Sequence, residues 1–466
     1  MKFFSSLANI FKLPELRDRV IFTLGIIAVV RFGAYVPTPG VDGEVLLRVI
    51  EQQAARMGGN ILMFMDMFTG GAMQRCTLFA LGVMPYISAS IILQLLIAVI
   101  PTLEKIAREG EAGQKKIREF TRYGTLVLSL LQAVFIARFL ANPANFAGVN
   151  VVPHAGFLFY MSTTFTLACG TMFLMWLGEQ ITDKGIGNGI SLIITVNILS
   201  RVPTALTRAW TYLDPGAAGG WSPVKILMLL VIFIGVTLAV VMLTQGERRI
   251  PVQYAKRVIG RKQYMGQATT IPFRVNYAGV IPIIFASSLL LFPATVSGFM
   301  GGFVNNPDSM LGSTFGHVVQ FLTPPSMVYY VFYVLLIVFF CFFWTATQFN
   351  PIQMAEDLRR NSAFVPGIRP GKATSDFFDK TMTRITLPGA IFLAMVAIVP
   401  DILTSQRVMG LNYEIANLFG GTSLLIIVGV ALDTMRQIEA HLLARHYEGF
   451  MQRGRIRGRS SSAVRN

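Results

Sequence analysis

The residues of this chain that could do chemistry are few, and their spacing argues against each reaction they suggest. Gly367-Ile368-Arg369-Pro370-Gly371-Lys372-Ala373 sets a lysine after a glycine-bearing loop, as a phosphate cradle does. The glycine spacing is wrong, however, and no Ser or Thr follows Lys372. Gly185-Ile186-Gly187-Asn188-Gly189 leads into an apolar stretch, so it reads as a loop entering a span and not as a dinucleotide fingerprint. His441 and His446 stand five apart, so a helix would not present them on one face to a metal. Cys76, Cys169 and Cys341 lie far apart at or within apolar stretches, where cysteine behaves as a small hydrophobe. No nucleophile, acid and base converge. The chain reads as non-enzymatic, with no cofactor and no metal.

The elements that would have to position a site explain this scarcity. Of 466 residues, 53% are hydrophobic and 14% charged. A helix that crosses a bilayer needs roughly 20 mostly apolar residues. Ten stretches meet or approach that length, near 20–36, 77–100, 121–141, 155–178, 188–206, 224–244, 277–297, 326–347, 385–403 and 421–442. The fifth is the weakest, being short and glycine-led. Segment 61–75 is apolar but too short to span and contains Gly70-Gly71, so it reads as a re-entrant half-helix. The fold class is an all-α polytopic membrane protein.

Charge fixes its orientation. Lys and Arg number about 29 in one alternating set of loops and ends and about 6 in the other. Basic loops stay on the cytoplasmic side, which places both termini there. The net charge of +16 therefore gathers on that face, where it serves topology and contact with anionic lipid. The loops 245–276 and 348–383 are longer than orientation requires, which suggests a docking surface for cytosolic partners. Residues 2–19 place Phe3, Phe4, Leu7, Ile10 and Phe11 on one helical face among Lys2, Lys12, Arg17 and Arg19. That pattern suits a helix on the membrane surface, and no signal peptide is visible. The tail from Arg453 to Arg459 reads as a disordered basic end. The organisation is thus 1–19 amphipathic, 20–206 a first half, 207–442 a second half and 443–466 a basic tail.

The two halves resemble each other. Gly82-Val83-Met84-Pro85-Tyr86-Ile87-Ser88-Ala89-Ser90 aligns without gaps on Gly279-Val280-Ile281-Pro282-Ile283-Ile284-Phe285-Ala286-Ser287, 197 positions on. These stretches head the second and seventh spans. An odd number of spans between copies gives them opposite orientations, the mark of an inverted repeat with function at the interface of the halves. Pro85 and Pro282 are expected inside spans, where neighbours or water must satisfy the backbone. Small residues (Ser88, Ala89, Ser90; Ala286, Ser287, Ser288) let the two helices approach closely, with an interface that opens at modest cost.

A gradient-coupled carrier needs ionisable groups at mid-depth, and here Arg31, Arg138, Glu179, Asp401 and Asp433 all fall near predicted span ends. This argues against a proton- or sodium-coupled transporter. A secondary transporter with inverted repeats and an insertase without a sealed pore are the alternatives.

Arg248-Arg-Ile-Pro-Val-Gln-Tyr-Ala-Lys-Arg257, Phe364-Val-Pro-Gly-Ile-Arg-Pro-Gly371, Met84-Pro-Tyr-Ile-Ser-Ala-Ser90 and Gly420-Gly-Thr-Ser-Leu-Leu425 carry a more specific signal. In these motifs the chain resembles the SecY family, the channel subunits of the bacterial protein translocon, from about residue 15 to 450 with all ten spans in register. The resemblance implies two five-helix halves around an apolar constriction, at positions matching Val83, Ile87, Ile194, Ile284 and Ile426. Where the family often has isoleucine this chain has Val83, which implies a slightly wider ring there. Branched aliphatic side chains can seal around an extended peptide and exclude ions by dewetting. The half-helix 61–75 matches the plug, with Ile61, Met65, Phe68, Gly70 and Gly71. Asp66 and Arg75 would be costly in a dry core, so a water-filled site is expected for them. The second and seventh spans match the lateral gate, with Ser88 and Phe292 facing each other and Gln132 and Ser288 as polar neighbours.

The two long loops match the segments that dock the ribosome or the motor ATPase SecA, through Arg248, Arg249, Lys256, Arg257, Arg261 and Arg369. Pro366, Gly367, Pro370 and Gly371 would shape the turn that presents the Arg369 guanidinium. The family's remaining partners follow by the same resemblance: SecE, SecG, signal-sequence-bearing polypeptides, and SecDF and YidC. The expected work is passage of unfolded secretory chains across the cytoplasmic membrane and lateral release of membrane helices. SecA, the ribosome or the proton-motive force would drive it.

Overall fold

Proline and asparagine set the starts of many helices. A computed structural model of the chain describes residues 14–57, 66, 68–146, 148–212, 223–254, 257–259, 262–264, 268–301, 317, 321–322, 326–404, 415–416 and 421–453. Helices α1 (Pro14–Gly33), α2 (Gly43–Met57), α3 (Met84–Val99), α4 (Pro101–Arg108), α5 (Glu111–Ala141) and α6 (Phe157–Lys184) come first. They are followed by α7 (Gly189–Leu199), α8 (Val202–Tyr212) and α9 (Pro223–Gln245). Pro14, Pro101 and Pro223 each open a helix, where the missing N–H would have had no partner and the ring's fixed φ suits the first turn. Asn188 caps α7, its side chain accepting from the Ser191 amide at 3.1 Å. The glycine-rich segment 185–189 is therefore a loop that launches a helix, as the sequence suggested.

Strands β1 (Glu247–Tyr254), β2 (Arg257–Ile259), β3 (Lys262–Tyr264) and β4 (Ala268–Arg274) follow. Then come α10 (Ile281–Gly301), α11 (Met327–Gln348), α12 (Pro351–Arg360), β5 (Ala363–Phe364), α13 (Lys372–Thr404) and α14 (Gly421–Arg453). Among the described residues, seven helices are long and apolar enough to cross a membrane, or eight if the bent pair α3–α4, with its 103° break, counts as one span. Each of the ten predicted stretches falls on a helix. The two not counted are α1, charged in its first turns, and α10, of which Ile281–Leu290 is the continuous stretch with described side chains.

The repeat seen in the sequence recurs in the packing. In the first half α1 packs on α6 and α7, α3 on α5 and α6, and α6 on α5 and α7. In the second half α9 packs on α13 and α14, α10 on α11 and α13, and α13 on α11 and α14. Each of these six packed pairs of one half thus has its counterpart in the other. The halves meet along two seams, α3 and α5 against α10, and α7 against α14.

The aligned motifs adopt matching conformations. Gly82 and Gly279 both have positive φ, at 57° and 64°. The Ile87 amide donates to the Val83 carbonyl at 3.1 Å, and the Ile284 amide to Val280 at 3.4 Å. One expectation is corrected here. Pro85 and Pro282 stand in the first turns of α3 and α10, not in span interiors. No intrahelical hydrogen bond is lost at that position.

Outside the helices, β1 pairs antiparallel with β4 and also with β5, which comes from the next long loop. Sequence analysis did not anticipate strands there. Ile250, Val252, Phe273, Phe349, Ala363, Val365, Phe378 and Met382 form one small buried core beneath this sheet. Phe273 sits edge-on to Phe349 at 5.4 Å and to Phe378 at 5.3 Å, a favourable aromatic arrangement. Two loops far apart in sequence become one platform.

Candidate functional site

Four helices, two from each half, bring the predicted ring together. Val83 caps the start of α3 and Ile87 follows one turn later; Ile284 occupies the equivalent turn of α10. Ile194 lies midway along α7 and Ile426 in the second turn of α14. All five are buried within a single apolar cluster that joins both halves. Val280, the repeat's counterpart of Val83, lies in the same cluster. It was missed from sequence, although the gapless alignment of the repeat could have pointed to it. Hydrocarbon fills the space where the halves meet.

The plug-like segment packs against this cluster. Phe68 is buried in it. Asp66, Phe68 and Thr69 are helical and a turn follows from Gly70, so the half-helix expected over 61–75 ends at Thr69. Positive φ at Gly70 (66°) and Gly71 (96°) is the backbone reason, since side-chain-bearing residues avoid that region. Ile61 and Met65 lie outside the described residues.

Asp66 corrects a second expectation. Its side chain is 0% exposed, so it does not sit in a watery funnel. The Thr69 hydroxyl donates to Asp66 Oδ1 at 2.9 Å, and the Met73 and Gln74 amides donate to it at 3.1 and 3.3 Å. Asp66 Oδ2 forms an ion pair with Arg201. A buried carboxylate is tolerated when it is paired and hydrogen-bonded in this way. Arg75 is exposed, its guanidinium 5.6 Å from the centre of the Tyr35 ring.

The gate residues lie at the α3–α5–α10 seam. Ser88, Gln132 and Ser288 are buried, while Phe292 is in α10 with its side chain outside the described residues. Gln132 Oε1 and Ser288 Oγ have no hydrogen-bond partner among the described residues. The seam is weakly held in polar terms, as its small residues suggested.

The basic residues assigned to docking divide. Arg248 and Arg249 project exposed from β1, and Arg249 pairs with Glu247 at 2.8 Å. Arg369 is exposed on the turn after β5. Its carbonyl accepts from the Thr374 hydroxyl at 2.9 Å, and Gly367 and Gly371 have φ of 83° and 104°. Ile368 packs on the platform core, so the turn is fixed to a rigid base. Arg257 lies in β2 with its side chain outside the described residues, and Lys256 and Arg261 lie outside them altogether.

The fold and this site define a class: a multi-pass helical membrane protein whose two repeated halves meet through one apolar cluster. A model of the SecY family matches residues 77–435. The protein translocase subunit SecY of Chlamydia trachomatis serovar D is 44% identical over 467 residues, covering 98% of this chain and all of that one. A solved SecY structure, described for a plug domain that stabilises the closed channel and maintains a membrane seal, superposes with a TM-score of 0.61 at 18% identity. It covers 91% of both chains. Sec61 in a canine ribosome–channel complex gives a TM-score of 0.61 at 16% identity, again over 91% of each chain. The chain belongs to the SecY family. It is a protein-conducting translocation channel.

Proposed function

We propose that the five-residue ring is the constriction of that channel and that the structure is its closed state. The single observation that carries this reading is the burial of Val83, Ile87, Ile194, Ile284 and Ile426, from both halves, in one apolar cluster. A waist lined only by branched aliphatic groups offers a passing chain no hydrogen bond to hold it, and it dewets when empty. Residues 61–75, with Phe68 on the cluster, act as the plug. The α3–α5–α10 seam, bearing Ser88, Gln132, Ser288 and Phe292, is the lateral gate through which signal sequences and membrane helices reach lipid.

The platform of β1, β4, β5 and α12 receives the partner that supplies energy. Its exposed Arg248, Arg249 and Arg369 suit the phosphates of ribosomal RNA or the acidic surface of SecA; the ribosome-bound canine relative supports the first. SecE and SecG complete the complex, with SecDF and YidC as further associates. The chain itself performs no catalysis. It resides in the bacterial cytoplasmic membrane with both termini in the cytoplasm, on the basic side of the loop asymmetry.

The test is reconstitution with SecE and SecG in vesicles, adding SecA, ATP and a signal-bearing preprotein. Protease protection of the preprotein, together with ion conductance while a stalled substrate occupies the channel, is the expected result. Small-solute accumulation without protection would replace this reading with a transporter, and protection without conductance with an insertase.

A further inference from the structure

A fully buried carboxylate needs a reason, and Asp66 has one on a distant helix. Its side chain is 0% exposed and its charge is met by Arg201, which follows α7. That same helix end makes further bonds to the segment. Asn197 Nδ2 donates to the Phe68 carbonyl at 3.0 Å, and the Ser200 hydroxyl donates to the Gly70 carbonyl at 3.4 Å. From α1, Arg31 reaches the Gly70 carbonyl at 3.5 Å. The fit leaves no spare room. A Cβ on Gly70 would stand 2.9 Å from the Asn197 carbonyl oxygen and 3.0 Å from Arg31 Nη1.

These contacts are of different kinds and fall on the Asp66 side chain and the Phe68 and Gly70 carbonyls. Apolar packing of Phe68 would hold the segment loosely and without register. A buried ion pair and the directed Asn197–Phe68 hydrogen bond add register, because displacing the segment leaves Asp66 and Arg201 without each other. The site of attachment matters as well. Arg201 begins the stretch that runs through α8 toward α9, the covalent link between the halves. A movement of the halves that shifts the end of α7 would pull on the bonds to residues 66–70 directly.

We propose that Asn197 and Arg201 are positioning residues that latch residues 66–70 over the waist, and that channel opening requires the Asp66–Arg201 pair to separate. This rests on the reading of residues 61–75 as the plug. The latch sets how often the closed channel opens. It does not touch the translocating chain.

The experiment measures resting ion leak of the complete channel complex in planar bilayers, with protease-protected preprotein as a second readout. Arg201→Gln should raise resting leak at least tenfold while export continues. Arg201→Lys, which keeps the charge, should return leak to within threefold of the parent, a rescue that a merely structural role would not give. Asp66→Asn combined with Arg201→Gln should leak less than Arg201→Gln alone, because the orphaned buried charge is gone. If Arg201→Gln does not insert stably, Asn197→Ala takes its place and should raise leak on its own.

A variant lacking residues 61–70 separates the two ideas. If the deletion leaks and the latch variants do not, the latch is overturned and the plug stands. If neither leaks, the plug reading fails and the latch with it. Equal leak from Arg201→Lys and Arg201→Gln would also refute the pairing.

Discussion

Replacing Ile426 by asparagine tests the seal at its most enclosed point. Ile426 is 0% exposed in the cluster that joins the halves. Burial of an isoleucine side chain is worth about 1.5–3 kcal/mol, and an amide left there without partners costs about 1–3 kcal/mol. If the open channel hydrates this position, the substitution disfavours the closed state by roughly 3–5 kcal/mol in total. Relaxation of neighbouring side chains lowers that figure. Even half of it shifts the closed-to-open ratio by about ten- to sixtyfold, since 1.4 kcal/mol is a factor of ten. Single-channel recording of the reconstituted complex without substrate reads this as resting open probability. Ile426→Leu, which conserves volume and apolarity, should stay near the parent. An Ile426→Asn channel that opens no more often than the parent, with normal assembly, would remove Ile426 from the waist and undercut the hydrophobic-seal argument.

Further expectations concern the platform and the gate. Arg369→Glu should reduce SecA-driven export at least tenfold while insertion and SecE binding persist; normal export would remove Arg369 from the coupling role. Phe378→Ala, at a fully buried position edge-on to Phe273, should cost the platform about 3–5 kcal/mol. It should make the loops around β1–β4 sensitive to protease without releasing the protein from the membrane, and unchanged digestion would show that the sheet does not depend on this core. Cysteines at Ser88 and Phe292 should form a bridge that blocks export until reduced. No cross-link in the resting complex would move the gate contact elsewhere along α3 and α10.

Much of this architecture was legible because hydropathy and the positive-inside asymmetry are local properties that can be summed along a chain. The span positions, the glycine-led loop at 185–189 and the repeat at 82–90 and 279–287 all followed from nearest neighbours. The ring candidates came instead from the family resemblance of the motifs. Local reading failed at Pro85 and Pro282 because helix starts depend on where the chain turns, and Gly82 and Gly279 turn it just before them. It failed at the platform because β5 supplies only two residues, Ala363 and Phe364, too few for any periodicity to register.

The sequence by itself determined that this protein crosses a membrane repeatedly, concentrates its basic residues in alternate loops and is built from two related halves. Each of those facts is set by composition within a window of residues. Only the tertiary structure decided that Asp66 is dry and paired, since its counter-charge, Arg201, lies beyond α7, far along the chain. Asn197 meets the Phe68 carbonyl across 129 positions, and two loops share one core under β1. Such pairings depend on how helices close around each other, and a buried charge is stable only where that closure brings its counter-charge within reach.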